Sequence, residues 1–301
     1  MTTPTDPVLV GESPVLRRLL NAARVVAATE VNVLLLGENG SGKETLARTL
    51  HHWSPRARGG FVTLHCAGLD EAPDSPAICE QGQGYGTLFL DEVAELTPRA
   101  QAGLLRCLEE LEHGRDGPAL RVIAATAQDL GALVEQGRFR RDLYHRLCVV
   151  PLELPPLRDR PSDIPLLLEH FLAEAAGEHR LATPQLRTSA VRLLKRYAWP
   201  GNLRELRNIC ERLVILLPGS EVTPSNLPAE IRAAEAPRNG GLADTLGFRL
   251  PPNGIDLEQL EGEAIRQALT MAGGNKSRAA RLLGLSRDTF LYRLRKHLIQ
   301  A

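Results

Sequence analysis

The heptapeptide GENGSGK, Gly37 to Lys43, most restricts what this chain can fold into. It follows the apolar run VNVLLL (31–36) and precedes ETLARTLH, whose apolar positions suit a helix. A GxxxxGK turn between strand and helix aims backbone N–H groups at phosphate oxygens, and its lysine supplies a point charge to the β- and γ-phosphates. Gly37, Glu38, Asn39, Gly40, Ser41, Gly42, Lys43 and Glu44 are therefore the expected nucleotide cradle. Glu44 occupies the position usually held by a hydroxyl residue that serves magnesium. Magnesium would then depend on water and on acids elsewhere in the chain. Those acids are Asp91 and Glu92, which end the run TLFL at the carboxyl tip of an expected strand, where open α/β sheets bind ligands. Asp91 would hold the shell of Mg2+ through water, and Glu92 would orient or deprotonate the water that attacks ATP.

Further short apolar runs, FVTL (61–64), LRVIAA (120–125) and CVVPL (148–152), alternate with helical patterns, which predicts a parallel α/β sheet. After PPLRDRP the strands are expected to stop, and 163–217 reads as helices separated by TP and WPG breakers. The stretch 233–254 is rich in Ala, Pro and Gly without sustained period, and helical patterning then resumes. The expected organisation is an α/β nucleotide-binding part at 8–155, a helical lid at 156–232, a linker at 233–254 and an all-α domain at 255–301.

Charge separates these parts. Lys+Arg and Asp+Glu both number 36, so the chain does not coat nucleic acid by overall charge. Residues 275–297, however, hold seven Lys/Arg and one Asp, a local +6, which points any nucleic-acid contact to the C-terminus. The longest unbroken apolar run is the five residues Leu213 to Leu217, far short of the roughly 20 that span a bilayer. No basic segment followed by an apolar one opens the chain, and the five cysteines are scattered and never form CxxC. A cytoplasmic protein with reduced thiols is expected, with no membrane partner. The eight histidines show no HExxH or comparable ligand spacing.

In order along the chain, GENGSGKE, GTLFLDE, VIAAT, GRFRRDLYHRL, LPPLRDRPSDIP and WPGNLREL resemble the AAA+ domain of sigma-54-type bacterial enhancer-binding regulators over about residues 8–230. GNKSRAARLLGLSRDTFLYRLRKH is similar to the Fis-like helix-turn-helix that ends such regulators. The resemblance implies an AAA+ P-loop parallel sheet with a helical lid and an all-α DNA-binding domain, working as an ATP-driven ring, commonly hexameric, bound upstream of promoters. It leaves no room for an N-terminal sensory domain. It also implies that Arg140 and Arg146 are arginine fingers toward the nucleotide of a neighbouring subunit, and that Arg204 is the lid arginine sensing nucleotide in its own subunit. Arg138 and Arg141 are expected to be solvated or paired with Asp142.

In the C-terminal module, Ala264, Ile265, Ala268 and Leu269 form an apolar stripe, Gly284 marks a turn, and Ser286 suits the N-cap of a last helix. That helix would bury Phe290, Leu291 and Leu294. Arg287, Asp288 and Thr289 become candidates for base contacts, and Arg293, Arg295 and Lys296 for phosphate contacts. A dimer on double-stranded DNA is expected, its half-sites about 34 Å apart.

Departures from the family pattern shape the functional expectation. The segment 66–86 is short, and neither ESELFG nor the sigma-contacting GAFTGA occurs in the sequence. His65 replaces the Asn that restrains the catalytic glutamate, with an imidazole able to bond Glu92, and Ala127 replaces an Asn whose amide contact alanine cannot supply. The expectation is an ATP-binding, sequence-specific DNA-binding transcriptional regulator whose nucleotide state controls assembly and DNA occupancy, and which does not activate sigma-54 promoters. Two alternatives stay open. One is an active ring ATPase that remodels a sigma factor or RNA polymerase holoenzyme. The other is a repressor or scaffold whose site holds nucleotide without turnover.

Overall fold

The computed structural model describes residues 9–67, 69, 86–112, 120–233 and 256–297. It divides into two compact units, Met1–Ala236 and Pro237–Ala301. The first begins with α1 (Pro14–Ala27), β1 (Val33–Leu36), α2 (Lys43–His52), β2 (Phe61–His65), β3 (Gly86–Asp91), α3 (Pro98–Glu112), β4 (Leu120–Thr126), α4 (Leu130–Glu135), α5 (Arg141–Leu147) and β5 (Val150–Glu153). The five strands pair in parallel in the order β2-β3-β4-β1-β5.

Helices cover both faces, so the inner strands are buried along nearly their whole length and read as continuous apolar runs. Successive side chains still part to opposite faces. Val33, Leu35, Phe89, Ile123 and Ala125 pack with Leu16 and Leu19 of α1 and Leu46 and Leu50 of α2. Leu34, Leu88, Leu90, Val122 and Ala124 pack with Leu104 and Leu108 of α3 and Leu143 of α5. Parallel pairing also brings the carboxyl ends of the strands to one edge: His65 is in register with Asp91, and Leu36 with both Thr126 and Glu153. The candidate residues Asp91 and Glu92 lie along that edge.

The lid follows as α6 (Ile164–His179), α7 (Thr188–Arg196), α8 (Asn202–Leu216) and α9 (Ala229–Ala233), packed around the fully buried Trp199. The sequence reading ends the strands before this region, whereas the lid holds a two-stranded parallel pair, β6 (Gln185–Leu186) and β7 (Glu221–Val222). Strands of two residues carry no readable alternation, and their partners lie far apart in the chain. Most of segment 66–86 and the expected linker, apart from Ala233, lie outside the described residues.

The second unit contains α10 (Leu257–Met271), α11 (Lys276–Leu282) and α12 (Arg287–Lys296). Asp256 and Asn275 cap the first two by accepting from backbone N–H groups of the first turn, and Ser286 Oγ accepts from Thr289 N at 3.2 Å. Ile265, Ala268, Ala279, Ala280, Phe290 and Leu294 form its core, with Leu291 partly buried beside them, and Gly284 makes the turn at φ +65°.

Candidate functional site

The loop from Gly37 to Gly42 leaves β1 and enters α2. Gly40 sits at φ +74°, and a Cβ there would lie 2.4 Å from the carbonyl oxygen of Gly201, so both conformation and space demand glycine. Gly42, in the left-handed region at φ +107°, is the N-cap of α2. The Ser41 hydroxyl is buried inside the turn without a hydrogen-bond partner among the described residues. Lys43 is only 6% exposed, and its ammonium donates to the carbonyl of Gly37 at 2.9 Å and pairs with Glu92 Oε1 at 2.9 Å. A glycine cradle with a buried cation and an unmatched hydroxyl suits the phosphates of a nucleotide.

Glu92 has φ +55°, in the left-handed region that costs a non-glycine residue energy and marks functional turns. Its second carboxylate oxygen accepts from the backbone N–H of Ala127 at 3.0 Å. The end of β4 thus presents a main-chain donor to Glu92 that does not depend on the side chain, while the side-chain amide contact of the family's Asn has no counterpart in Ala127. His65 likewise departs from expectation: its Nδ1 lies 3.2 Å from Asp91 Oδ2 rather than against Glu92. Register explains this, since His65 and Asp91 are neighbours across two parallel strands, whereas Glu92 has already turned toward β4. Asp91 keeps a partly exposed carboxylate at the strand tip. Its oxygens suit a hard cation such as Mg2+. No group of three or more His, Cys, Asp or Glu that could by itself hold a metal occurs among the described residues. Burial, with the charges of Asp91 and Glu92, pushes the Cys66 thiol up to about 12, which keeps it protonated.

Glu44 points along α2 to Arg48, 2.8 Å away and exposed, not into the loop. Arg140 forms two hydrogen bonds to Asp142, at 3.0 and 2.6 Å, taking the role expected of Arg138 or Arg141. Arg146 lies 3.9 Å from Glu109. Both fingers of the family pattern thus stand on or beside α5 with acidic partners of their own chain. Arg204 is exposed in the first turn of α8, and that turn touches the loop: Leu203 N donates to Gly40 O at 2.9 Å.

Sequence reasoning missed three residues around this loop. Arg158 donates to both carboxylate oxygens of Glu38, at 2.8 and 2.6 Å. The buried amide of Asn202 donates to Glu38 Oε2 and Asn39 O, both at 3.1 Å, and accepts from Leu157 N at 2.8 Å. Arg160, also buried, donates to Ser41 O at 3.0 Å. The hydrogen bonds from Arg158 and Asn202 hold the Glu38 carboxyl down at about 2. Their signal lay in the strings LPPLRDRP, where Arg158 and Arg160 stand between prolines, and WPGN, where Asn202 follows a proline-glycine turn into a helix.

In the second unit Arg287 is exposed at the start of α12, and Thr289 is partly buried with its hydroxyl 2.7 Å from Ser286 Oγ. The side chains of Asp288 and Arg295 lie outside the described residues. Arg293 and Lys296, expected to face outward to phosphate, turn back onto α10: Arg293 bonds Glu261, and Lys296 lies 3.0 Å from Glu258. Acidic residues on α10 reach across to α12 and compete for these cations. Lys276, Arg278 and Arg281 on α11 are exposed, with no ion pair among the described residues.

Residues 10–157 match the family described as a Sigma-54 interaction domain, 158–242 an AAA+ ATPase lid domain, and 256–297 a bacterial regulatory protein, Fis family. The transcriptional regulatory protein ZraR of Klebsiella oxytoca is 41% identical over 313 residues, spanning 95% of this chain and 68% of ZraR. XylR of Pseudomonas putida is 42% identical over 320 residues, spanning 95% of this chain and 56% of XylR. Among solved structures, NtrX from Brucella abortus in complex with ATP superimposes with a TM-score of 0.67 at 33% identity, covering 96% of this chain and 69% of NtrX. The NtrX complex with ADP gives 0.68 at 32%, covering 97% and 69%.

Proposed function

Because the chain belongs to the sigma-54 interaction-domain family of bacterial transcriptional regulators, with an AAA+ lid and a Fis-type DNA-binding unit, we propose that it binds ATP at the Gly37–Lys43 loop and double-stranded DNA through its last three helices. Nucleotide state would then govern assembly and DNA occupancy. The observation that carries this reading is Lys43, a buried ammonium whose partner Glu92 is one that a γ-phosphate would replace. The NtrX complexes support the same class of ligand here.

With phosphates in the loop, Lys43 exchanges Glu92 for phosphate oxygens, while the Ala127 N–H still tethers the glutamate. Its freed oxygen then orients a water for in-line attack and takes its proton. Asp91 would hold Mg2+ through water, and the bound ion would offset phosphate charge. Arg140 and Arg146 would leave their acidic partners to reach the nucleotide of a neighbouring subunit in a ring, for which a guanidinium fork suits phosphate oxygens. Arg204 would sense nucleotide within its own subunit.

A second reading, nucleotide held without turnover by a DNA-bound repressor or scaffold, draws on the Lys43–Glu92 pair, which keeps the glutamate off a water. ATP turnover measured against protein concentration, with and without DNA, separates the two. Cooperative turnover selects the ring ATPase, binding without turnover selects the nucleotide-gated binder, and failure to bind ATP sinks both.

Arg287, Asp288 and Thr289 would read base edges as a dimer sits on a two-fold site, with Arg295 on phosphate. Lys276, Arg278 and Arg281 would supply the phosphate contacts from which Arg293 and Lys296 are held back. The protein would act in the cytoplasm, where its DNA is; no described helix is long and apolar enough to cross a membrane. RNA polymerase carrying sigma-54 is the partner to test first. Since the sequence lacks GAFTGA, no ATP-dependent open complexes are expected with it, and regulation would run through DNA occupancy. Open complexes that disappear in Lys43→Ala would overturn that expectation.

A further inference from the structure

The loop read as the phosphate cradle is held by a second set of contacts. Each of the four consecutive residues 38–41 is bonded to the lid or to the segment leading into it. The Glu38 carboxylate takes Arg158 and Asn202, the Asn39 carbonyl takes Asn202, the Gly40 carbonyl takes Leu203 N–H, and the Ser41 carbonyl takes Arg160. Asn202 is completely buried and sits at φ +50°, a conformation that persists only when its surroundings fix it. Its amide joins three separate stretches: the loop, the start of α8, and Leu157 N–H after β5. The connecting segment is anchored at its other end as well, where Asp163 accepts from Glu12 N, Ser13 N and Ser13 Oγ, each at 2.7 Å.

We propose that the side chains of Glu38, Arg158 and Asn202 form a latch that transmits occupancy of the phosphate loop to the lid, acting as positioning residues through the hydrogen bonds they make with one another and with the loop. The proposal rests on the reading of Gly37–Lys43 as an ATP site. When phosphates draw the N–H groups of the loop inward, the peptide planes of residues 38–41 turn, and their carbonyls and the Glu38 carboxylate turn with them. The lid helix α8 and the 157–163 segment must follow or release those bonds. The same bonds let the lid set the loop for nucleotide, because coupling of this kind is reciprocal. The route is distinct from Arg204, which would act by direct contact.

Trp199 supplies a reporter inside the lid. It is fully buried, lies three residues before Asn202, and its carbonyl accepts from Asn202 N at 2.9 Å. The chain has one other tryptophan, Trp53, so Trp53→Phe leaves Trp199 alone. In that full-length background, Glu38→Gln, Arg158→Met and the double variant would be titrated with ATP. Affinity would be read by a fluorescent ATP analogue and lid response by Trp199 emission. The Glu38–Arg158 pair is 42% and 44% exposed, so at neutral pH the ligand-free variants should lose only a slight part of the parent Tm and stay folded, which separates latch from scaffold. The parent should show an ATP-dependent change in Trp199 emission. Each single variant should lose that change and bind ATP about 5-fold or more weakly, the lower range of allosteric coupling, and the double should be no worse than the singles. Variants that retain both the Trp199 response and the parent affinity, or losses that multiply in the double, would overturn the latch while leaving the ATP site standing. A parent chain that binds no ATP would overturn both.

Discussion

Lys43 holds a carboxylate and a backbone carbonyl in a site shaped for phosphate, so the residue-scale test is to remove its charge. ATP should stabilise the parent by about 2.7 kcal/mol at 100-fold Kd, read as a thermal shift, and Lys43→Ala should abolish that shift. A shift of the same size in the variant would remove Lys43 from the site. Glu38 gives a test by pH. Its carboxyl titrates near 2 in the folded chain against an ordinary 4.5, so its contribution to stability is present above about 4.5 and is lost as pH falls from there toward 2. Glu38→Gln should therefore lower Tm slightly at neutral pH, and the gap from the parent should close across that window. A gap constant with pH would mean that the charge does not matter. At this scale the sequence is legible where backbone chemistry is written in residue type, as in the glycines. It is silent on the main-chain N–H of Ala127, whose bond to Glu92 no side chain announces.

Among elements, the ion pairs of α12 and the exposed cations of α11 suggest that the two helices would divide phosphate contact differently from what the basic composition implies. Salt dependence reports phosphate neutralisation, with the slope of log K against log salt steepening by about 0.9 for each phosphate engaged. Lys276→Ala or Arg278→Ala should each flatten that slope by about 0.9, whereas Lys296→Ala, already paired with Glu258, should change it little. Arg287→Ala should relax base preference at a cost of about 1 to 3 kcal/mol on the specific site. Binding to specific and random duplexes over a salt series decides this; a slope as flat in Lys296→Ala as in Lys276→Ala would return Lys296 to the phosphate set. The helices were legible because apolar spacing marks their buried side. The pairing of Arg293 and Lys296 with α10 was not, since it depends on two elements meeting with particular residues in reach.

For the whole molecule, the expected ring makes each nucleotide site a product of two subunits. Arg140→Ala or Arg146→Ala should leave ATP binding intact and, where turnover occurs, reduce it by roughly 10³-fold or more, as arginine fingers do. Mixing either variant with Glu92→Ala should restore part of the activity, because one subunit then offers an intact glutamate and its neighbour intact arginines. No recovery after subunit exchange would count against fingers acting in trans. The alternation of strands and helices, the phosphate loop and the acidic strand tip could all be read along the chain, because each is a local pattern: an apolar run, a glycine turn, a carboxylate after a strand. Which side chains meet was left to packing in three dimensions. Parallel register gave His65 to Asp91, a left-handed turn brought Glu92 between Lys43 and Ala127, and lid packing set Asn202 against residues more than 160 positions away. Such pairings join atoms of distant segments, and their geometry exists only once the core has fixed those segments in place.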